Sequence, residues 1–325
     1  MTVGLATAGF AISLLCALVM GYAIQRGATC TVAAVSQLVE AGKWGRFRGL
    51  MEAALWVAGG LLLARAFGVL PDLPAGRTIT ASTIIGGILL GAGAYVNKAC
   101  VFGTISRIGA RDWAYLATPL GFLGGAWVVT LMGADTPITS ATVAVSPLAS
   151  LPVLAPIAFV IFAVWRIGRI IVSKRGRLAE RIWAPHEATV VIGIAFAIMF
   201  VAAGAWAYTD LLTELAMGMP GDVGVRLLLL AGLFGGSLIA GSASDTAVRQ
   251  RIGSGDVART LTGGAAMGAG SLLIPGSNDG LILVGMPLLY PYAWVAIGTM
   301  CLTIAIALGL DKLRARVAAA HHATN

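Results

Sequence analysis

Long apolar runs alternate with short polar ones along this chain, and that alternation constrains its fold more than any other feature. A helix crossing the hydrocarbon core of a bilayer needs about 17–25 largely apolar residues. Nine stretches meet that condition: 4–24, 47–69, 81–97, 113–133, 151–172, 187–209, 224–241, 257–274 and 289–310. Lipid offers no partners to backbone N–H and C=O groups, so such segments must satisfy them internally as helices. The expected fold class is therefore an all-α polytopic membrane protein of about nine transmembrane helices. Only 11% of the residues are charged, against about 25% in a soluble domain whose surface faces water. Residues 4–24 lack a basic leader and a small-residue cleavage site, so they read as a retained first span.

The net charge of +8 is distributed as a membrane topology rather than as a nucleic-acid surface. Lys43, Arg46 and Arg48 follow the first span, and Arg107 and Arg111 follow the third. Arg166, Arg169, Lys174, Arg175, Arg177 and Arg181 surround the exit of the fifth. Arg249, Arg251 and Arg259 follow the seventh, and Lys312, Arg314 and Arg316 the ninth. The alternate connections are nearly free of Lys and Arg. Basic loops stay cytoplasmic, so the expected topology is a multi-pass protein of the inner (plasma) membrane, with an outside N-terminus and a cytoplasmic C-terminus. It reads as one transmembrane domain, 1–325. Residues 1–150 form a first half, 151–186 a linking span and cytoplasmic loop, and 187–325 a second half.

Between the spans lie segments too apolar and too Gly-rich for ordinary loops: Gly27–Leu38, Ala99–Ile108, Ser244–Ile252 and Ser277–Gly285. Irregular backbone at membrane depth is tolerated only inside protein or along a cavity, so these read as re-entrant half-helices. Two of them belong to a repeat. Gly86-Gly87 and Gly91-Ala92-Gly93 match Gly263-Gly264 and Gly268-Ala269-Gly270 without a gap. The same offset pairs Cys100 with Ser277, Gly103 with Gly280, Tyr115 with Tyr292 and Gly121 with Gly298. The third and eighth spans run in opposite directions, so the copies are inverted, as in many secondary transporters. The expected shape is an hourglass, with the Cys100 and Ser277 elements entering from opposite sides.

The segments Arg26-Gly-Ala-Thr-Cys30, Asn97-Lys-Ala-Cys-Val-Phe-Gly103, Gly241–Asp256 and Gly268–Gly280 resemble those of the YeeE/YedE family of sulfur-transport membrane proteins, whose characterised activity is thiosulfate uptake. The resemblance covers most of the chain. It implies an hourglass bundle of about nine spans with half-helices and cysteines along a narrow central route, where Cys30 and Cys100 fall at two of the cysteine positions. The third departs: where the family reads Gly-Cys-Asn, this chain has Gly276-Ser277-Asn278. Cys301 lies inside the last span and does not replace it. The expected substrate pathway is Cys30, Cys100, Ser277, Asn278 and Lys98, supported by Gly91, Gly93, Gly103, Gly268, Gly270, Gly280 and Ser244.

An unperturbed thiol has a pKa of about 8.5 and near neutrality is a weak S–H donor. Cys30 and Cys100 can then pass a sulfur-containing anion along without covalent chemistry, and Ser277 can donate O–H in the same role. Half-helix N-termini add free N–H groups. Cys16 and Cys301 read as packing residues. Lys98 is either an anion contact or a side chain snorkelling to the interface. Asp279 caps its half-helix or carries a proton, the first being preferred. No cofactor and no metal site is expected; His186, His321 and His322 lie in loops or the tail. Expected partners are a small-molecule anion, the lipid bilayer and a cytoplasmic sulfur-carrier protein, and not nucleic acid. The competing readings are a permease for another small solute, and a membrane-embedded sulfurtransferase carrying a persulfide on Cys100.

Overall fold

A computed structural model describes residues 2–133, 145–173, 183–218, 223–242, 252–274 and 276–323. The regular structure of these residues is helical: α1 (Thr2–Gly27), α2 (Thr31–Ala41), α3 (Gly45–Ala66), α4 (Ala81–Asn97), α5 (Val101–Gly109), α6 (Ala117–Leu131), α7 (Leu154–Ser173), α8 (Pro185–Ala203), α9 (Tyr208–Ala216), α10 (Val223–Ser242), α11 (Ser254–Leu273), α12 (Asn278–Gly280, continuing as a π-helical turn over Leu281–Gly285) and α13 (Pro291–Ala323). Among the described residues, eight helical stretches are long and apolar enough to cross a bilayer. The expected eighth span, 257–274, is α11 and is not among these eight. It is a 20-residue helix, but Asp256, Arg259, Thr260 and Thr262 lower its hydropathy. It packs chiefly against α4 and α6.

Helix breaks have local causes. Gly42 ends α2 at φ 63°, its N–H closing onto Gln37 O and Leu38 O, which is the left-handed cap that favours glycine. Lys98 ends α4 in the same conformation at φ 60°. After Lys98 the chain passes through an extended Cys100 and restarts as the short α5, whereas after Gly42 it restarts as the 22-residue α3. The expected half-helices at Gly27–Leu38, Ala99–Ile108 and Ser277–Gly285 correspond to α2, α5 and α12 with its π-helical turn.

The expected sixth span, 187–209, is corrected. It stops at Ala203 with Gly204 at φ 87°, and a separate helix, α9, begins at Tyr208. The Ala-Trp-Ala-Tyr sequence across this break stays apolar, so hydropathy alone hides it. The expected half-helix from Ser244, with Arg249 and Arg251, lies outside the described residues.

The packing of α4 on α11 is reciprocal. A Cβ on Gly86 would lie 2.7 Å from Gly270 O, and one on Gly270 would lie 2.6 Å from Gly86 O. Gly93 and Gly263 approach each other in the same way, at 2.6 and 2.8 Å. Gly86 and Gly263 are repeat-equivalent, as are Gly93 and Gly270, so each residue meets its partner's counterpart. A twofold axis produces this pattern, because residue i contacts j while j contacts i. Membrane helices lack a hydrophobic drive to associate, and small residues compensate by allowing close backbone packing.

The offset, 177 residues, reaches further than the Gly-rich stretch. It also pairs Gly27 with Gly204 and Cys30 with Ala207, the residues that end and restart the chain at the α1–α2 and α8–α9 breaks. Four short helices therefore arise as two equivalent pairs, α2 with α9 and α5 with α12. Their restart residues are Cys30, Cys100, Ala207 and Ser277. The intervening α7 joins α3 through the Arg166–Glu52 ion pair, Nε to Oε1 at 2.5 Å and Nη2 to Oε2 at 2.9 Å.

Candidate functional site

The N-termini of the four short helices meet. At one end, the Thr31 N–H that opens α2 donates to Cys100 Sγ at 3.1 Å. In the middle, the Val101 N–H that opens α5 donates to Asn278 Oδ1 at 3.2 Å. At the other end, the Thr209 hydroxyl on α9 donates to Asp279 Oδ1 at 2.6 Å. Val101 and Asn278 are themselves repeat-equivalent, so the middle contact lies where the two copies cross. All of these groups are buried. The order is α2, α5, α12, α9, and the inverted repeat folds it about its own centre.

The helices α5 and α9 are braced by further hydrogen bonds. Asn97, fully buried, donates through Nδ2 to Ala99 O at 2.8 Å and to Thr104 Oγ1 at 3.2 Å. It accepts at Oδ1 from the Thr118 hydroxyl at 3.0 Å, and its carbonyl takes Arg259 Nη1 at 2.6 Å. Ser237 of α10 donates to Ile105 O at 2.8 Å. On the second copy, the Ala207 N–H donates to Asp210 Oδ2 at 3.0 Å, which closes the first turn of α9. A site held at this many points is pre-organised.

Cys30 and Cys100 are free thiols that lie close enough to interact. Gly103 makes room for them: a Cβ there would stand 2.6 Å from Cys30 Sγ. Its equivalent, Gly280, faces the Cβ of Ala207 at 3.9 Å and Asp210 Oδ1 at 3.8 Å. The thiol side of the site is thus crowded where the other side has slack. At the Val101–Asn278 contact, one residue along from Cys100, Ser277 Oγ and Asn278 Nδ2 are buried with no hydrogen-bond partner. A buried donor left unsatisfied costs about 1–3 kcal/mol. A cluster of such donors near the Cys100 thiol has the chemistry of a receptor for an anion carrying both sulfur and oxygen.

The remaining expected site residues are dispersed. Lys98 is exposed and shapes the α4–α5 break through its backbone. Gly91, Gly93, Gly268 and Gly270 pack helices, Gly91 against Met300 and Thr303 and Gly268 against Phe122. Ser244 lies outside the described residues. Sequence reasoning passed over Thr209, Asp210 and the whole of α9, although the 177-residue offset carried from Cys30 to Ala207 would have located them.

A polytopic α-helical membrane protein with a buried polar site at broken-helix N-termini has the general construction of a secondary transporter. Residues 26–306 match the family model described as sulphur transport. The chain belongs to this family, the YeeE/YedE family, and its role is sulfur-related transport. Among curated proteins none matches it.

Proposed function

We propose that the chain takes up a small sulfur-containing anion, thiosulfate foremost, across the inner membrane by passing it between Cys30, Cys100 and Ser277. The observation that carries this reading is the unpartnered pair Ser277 Oγ and Asn278 Nδ2, buried at the Val101–Asn278 contact one residue along from the free thiol of Cys100. Thiols and hydroxyls supply donors without fixed charge, so an anion is held weakly enough to leave again. The positive ends of the flanking half-helices add favourable potential. Ser277, standing where the family has cysteine, keeps the donor and exchanges a soft atom for a hard one.

The test is uptake of radiolabelled thiosulfate in cells lacking their own carriers. Cys100→Ala is expected to abolish it, Cys100→Ser to retain part, and Ser277→Cys to retain or raise it. Normal uptake by Cys100→Ala would overturn the relay. Growth rescue of a sulfur auxotroph on defined sulfur sources would name the substrate, and rescue on none would favour another solute.

One observation favours a sulfurtransferase as the second reading. The Thr31 N–H held on Cys100 Sγ is a contact that stabilises thiolate, the nucleophilic form. Attack on the outer sulfur of thiosulfate would leave a Cys100 persulfide and release sulfite. An added sulfur mass on Cys100 would support this reading, and an unmodified Cys100 after turnover would exclude it.

A further inference from the structure

The second copy of the site holds a buried carboxylate that the sulfur-anion reading leaves unused. Asp279 is 3% exposed and follows the pathway residues Ser277 and Asn278 directly. Its Oδ1 accepts from Thr209, while Oδ2 has no hydrogen-bond partner. Trp206, whose Nε1 is also buried and unpartnered, lines a cavity of about 10 Å³ together with Asp279. That volume is about the size of one water, and its accessible lining is apolar. The expectation that Asp279 caps its own helix does not account for these contacts, since Oδ1 is held by a hydroxyl from α9 and Oδ2 by nothing.

The groups around Asp279 offer it little counter-charge. From α9 it faces Tyr208 and Asp210, and Cys100 at the start of α5 faces the same Tyr208. Asp210 in turn faces Glu214, Arg226 and Tyr292, and the guanidinium of Arg226 is engaged by the Glu214 carboxylate. The cavity walls from α1, α5 and α10 are apolar: Met20, Ile24, Phe102, Ile105 and Leu233. In the first copy the position equivalent to Asp279 is Phe102, so the carboxylate breaks the repeat's symmetry.

An ionised Asp279 would repel an anion arriving at Ser277 and Asn278, and a protonated one would not. Anion and proton therefore favour each other's binding, and this coupling is reciprocal by thermodynamic necessity. A dianion entering a negatively charged interior also moves against the membrane potential, and the sequence contains no Walker-type nucleotide loop to drive it.

We propose that Asp279, held by Thr209 beside a water-sized cavity, is a proton-binding site that couples passage of the sulfur anion to protons in symport. The proposal rests on the permease reading above.

Purified protein in liposomes with a trapped pH dye, given radiolabelled thiosulfate outside, tests both separately. Wild type should acidify the lumen as thiosulfate enters, and an inward proton gradient should drive thiosulfate above equilibrium. Asp279→Asn should still equilibrate thiosulfate, with accumulation and acidification lost. Thr209→Val, which keeps the carboxyl but removes its donor, should keep coupling and move the pH for half-maximal uptake to more alkaline values. Equal proton-driven accumulation by wild type and Asp279→Asn would overturn the site, as would thiosulfate entry into wild-type vesicles without a pH change. Should Asp279→Asn not fold, a Thr209→Val pH profile identical to wild type would overturn it. Wild type passing no sulfur anion down its own gradient would instead refute the permease reading, and the coupling with it.

Discussion

At the residue scale, one pair of glycines separates the two copies of the site. Gly103 and Gly280 occupy equivalent places, yet only Gly103 has a sulfur pressed against it, with Cys30 Sγ 2.6 Å from where a Cβ would stand. Such contacts below 3 Å force a neighbour to move, whereas those of 3.8–3.9 Å at Gly280 are ordinary van der Waals distances. Gly103→Ala should therefore displace the Cys30 thiol and sharply reduce sulfur-anion uptake. Gly280→Ala should leave uptake near wild type, at equal expression. Comparable uptake by both variants would show that the position of Cys30 is immaterial. The thiols themselves were legible in the sequence, since polarisable S–H groups beside a helix restart stand out from apolar surroundings. The Thr209–Asp279 contact was not, because 70 residues separate its partners and no local pattern links them.

At the scale of elements, bare glycine surfaces set how closely helices cross. Gly93 on α4 meets the backbone of Gly263 on α11, and its Cβ would stand 2.6 Å from a carbonyl oxygen that cannot rotate away. Gly93→Leu should cost at least about 1–3 kcal/mol, the usual range for overpacking, and lower the thermal midpoint in detergent. Gly298 has nothing within 4 Å of its would-be Cβ, so Gly298→Ala should leave the midpoint unchanged. Equal midpoints for Gly93→Leu and wild type would show that the crossing can open without loss. The glycine repeat was readable because it needs no gap. The break before α9 was hidden, because Gly204 sits in a run that stays apolar on both sides. Its meaning emerges only when the Cys30 break is laid over it at the repeat offset.

At the scale of the whole molecule, the alternation of basic and acidic connections predicts opposite faces for the two termini. Fluorescent protein fused after Asn325 should fluoresce, and alkaline phosphatase fused there should be inactive, because the first matures in the cytoplasm and the second outside it. The reverse result would invert the topology and the direction assigned to uptake. The same scale explains why α11 is polar for a span. Its neighbours are α4 and α6, so much of its surface is set by helix packing rather than by lipid.

What the sequence by itself determined is the membrane setting, most of the spans, the glycine repeat and the two thiols. All are carried by neighbouring residues or by a fixed spacing, and hydropathy and periodicity are local quantities. Only the tertiary structure decided that four half-helix N-termini converge, that Val101 and Asn278 touch at the centre of the repeat, and that Asp279 lies against Thr209. Those facts depend on residues 69 to 177 positions apart, brought together by glycine crossings whose geometry no single segment encodes. Lys98 shows the difference: its charge reads by sequence as either an anion contact or a side chain snorkelling to the interface, and packing places it exposed at a helix end. The hydrogen bonds of a buried site belong to the whole fold, because each donor must find its acceptor on another element.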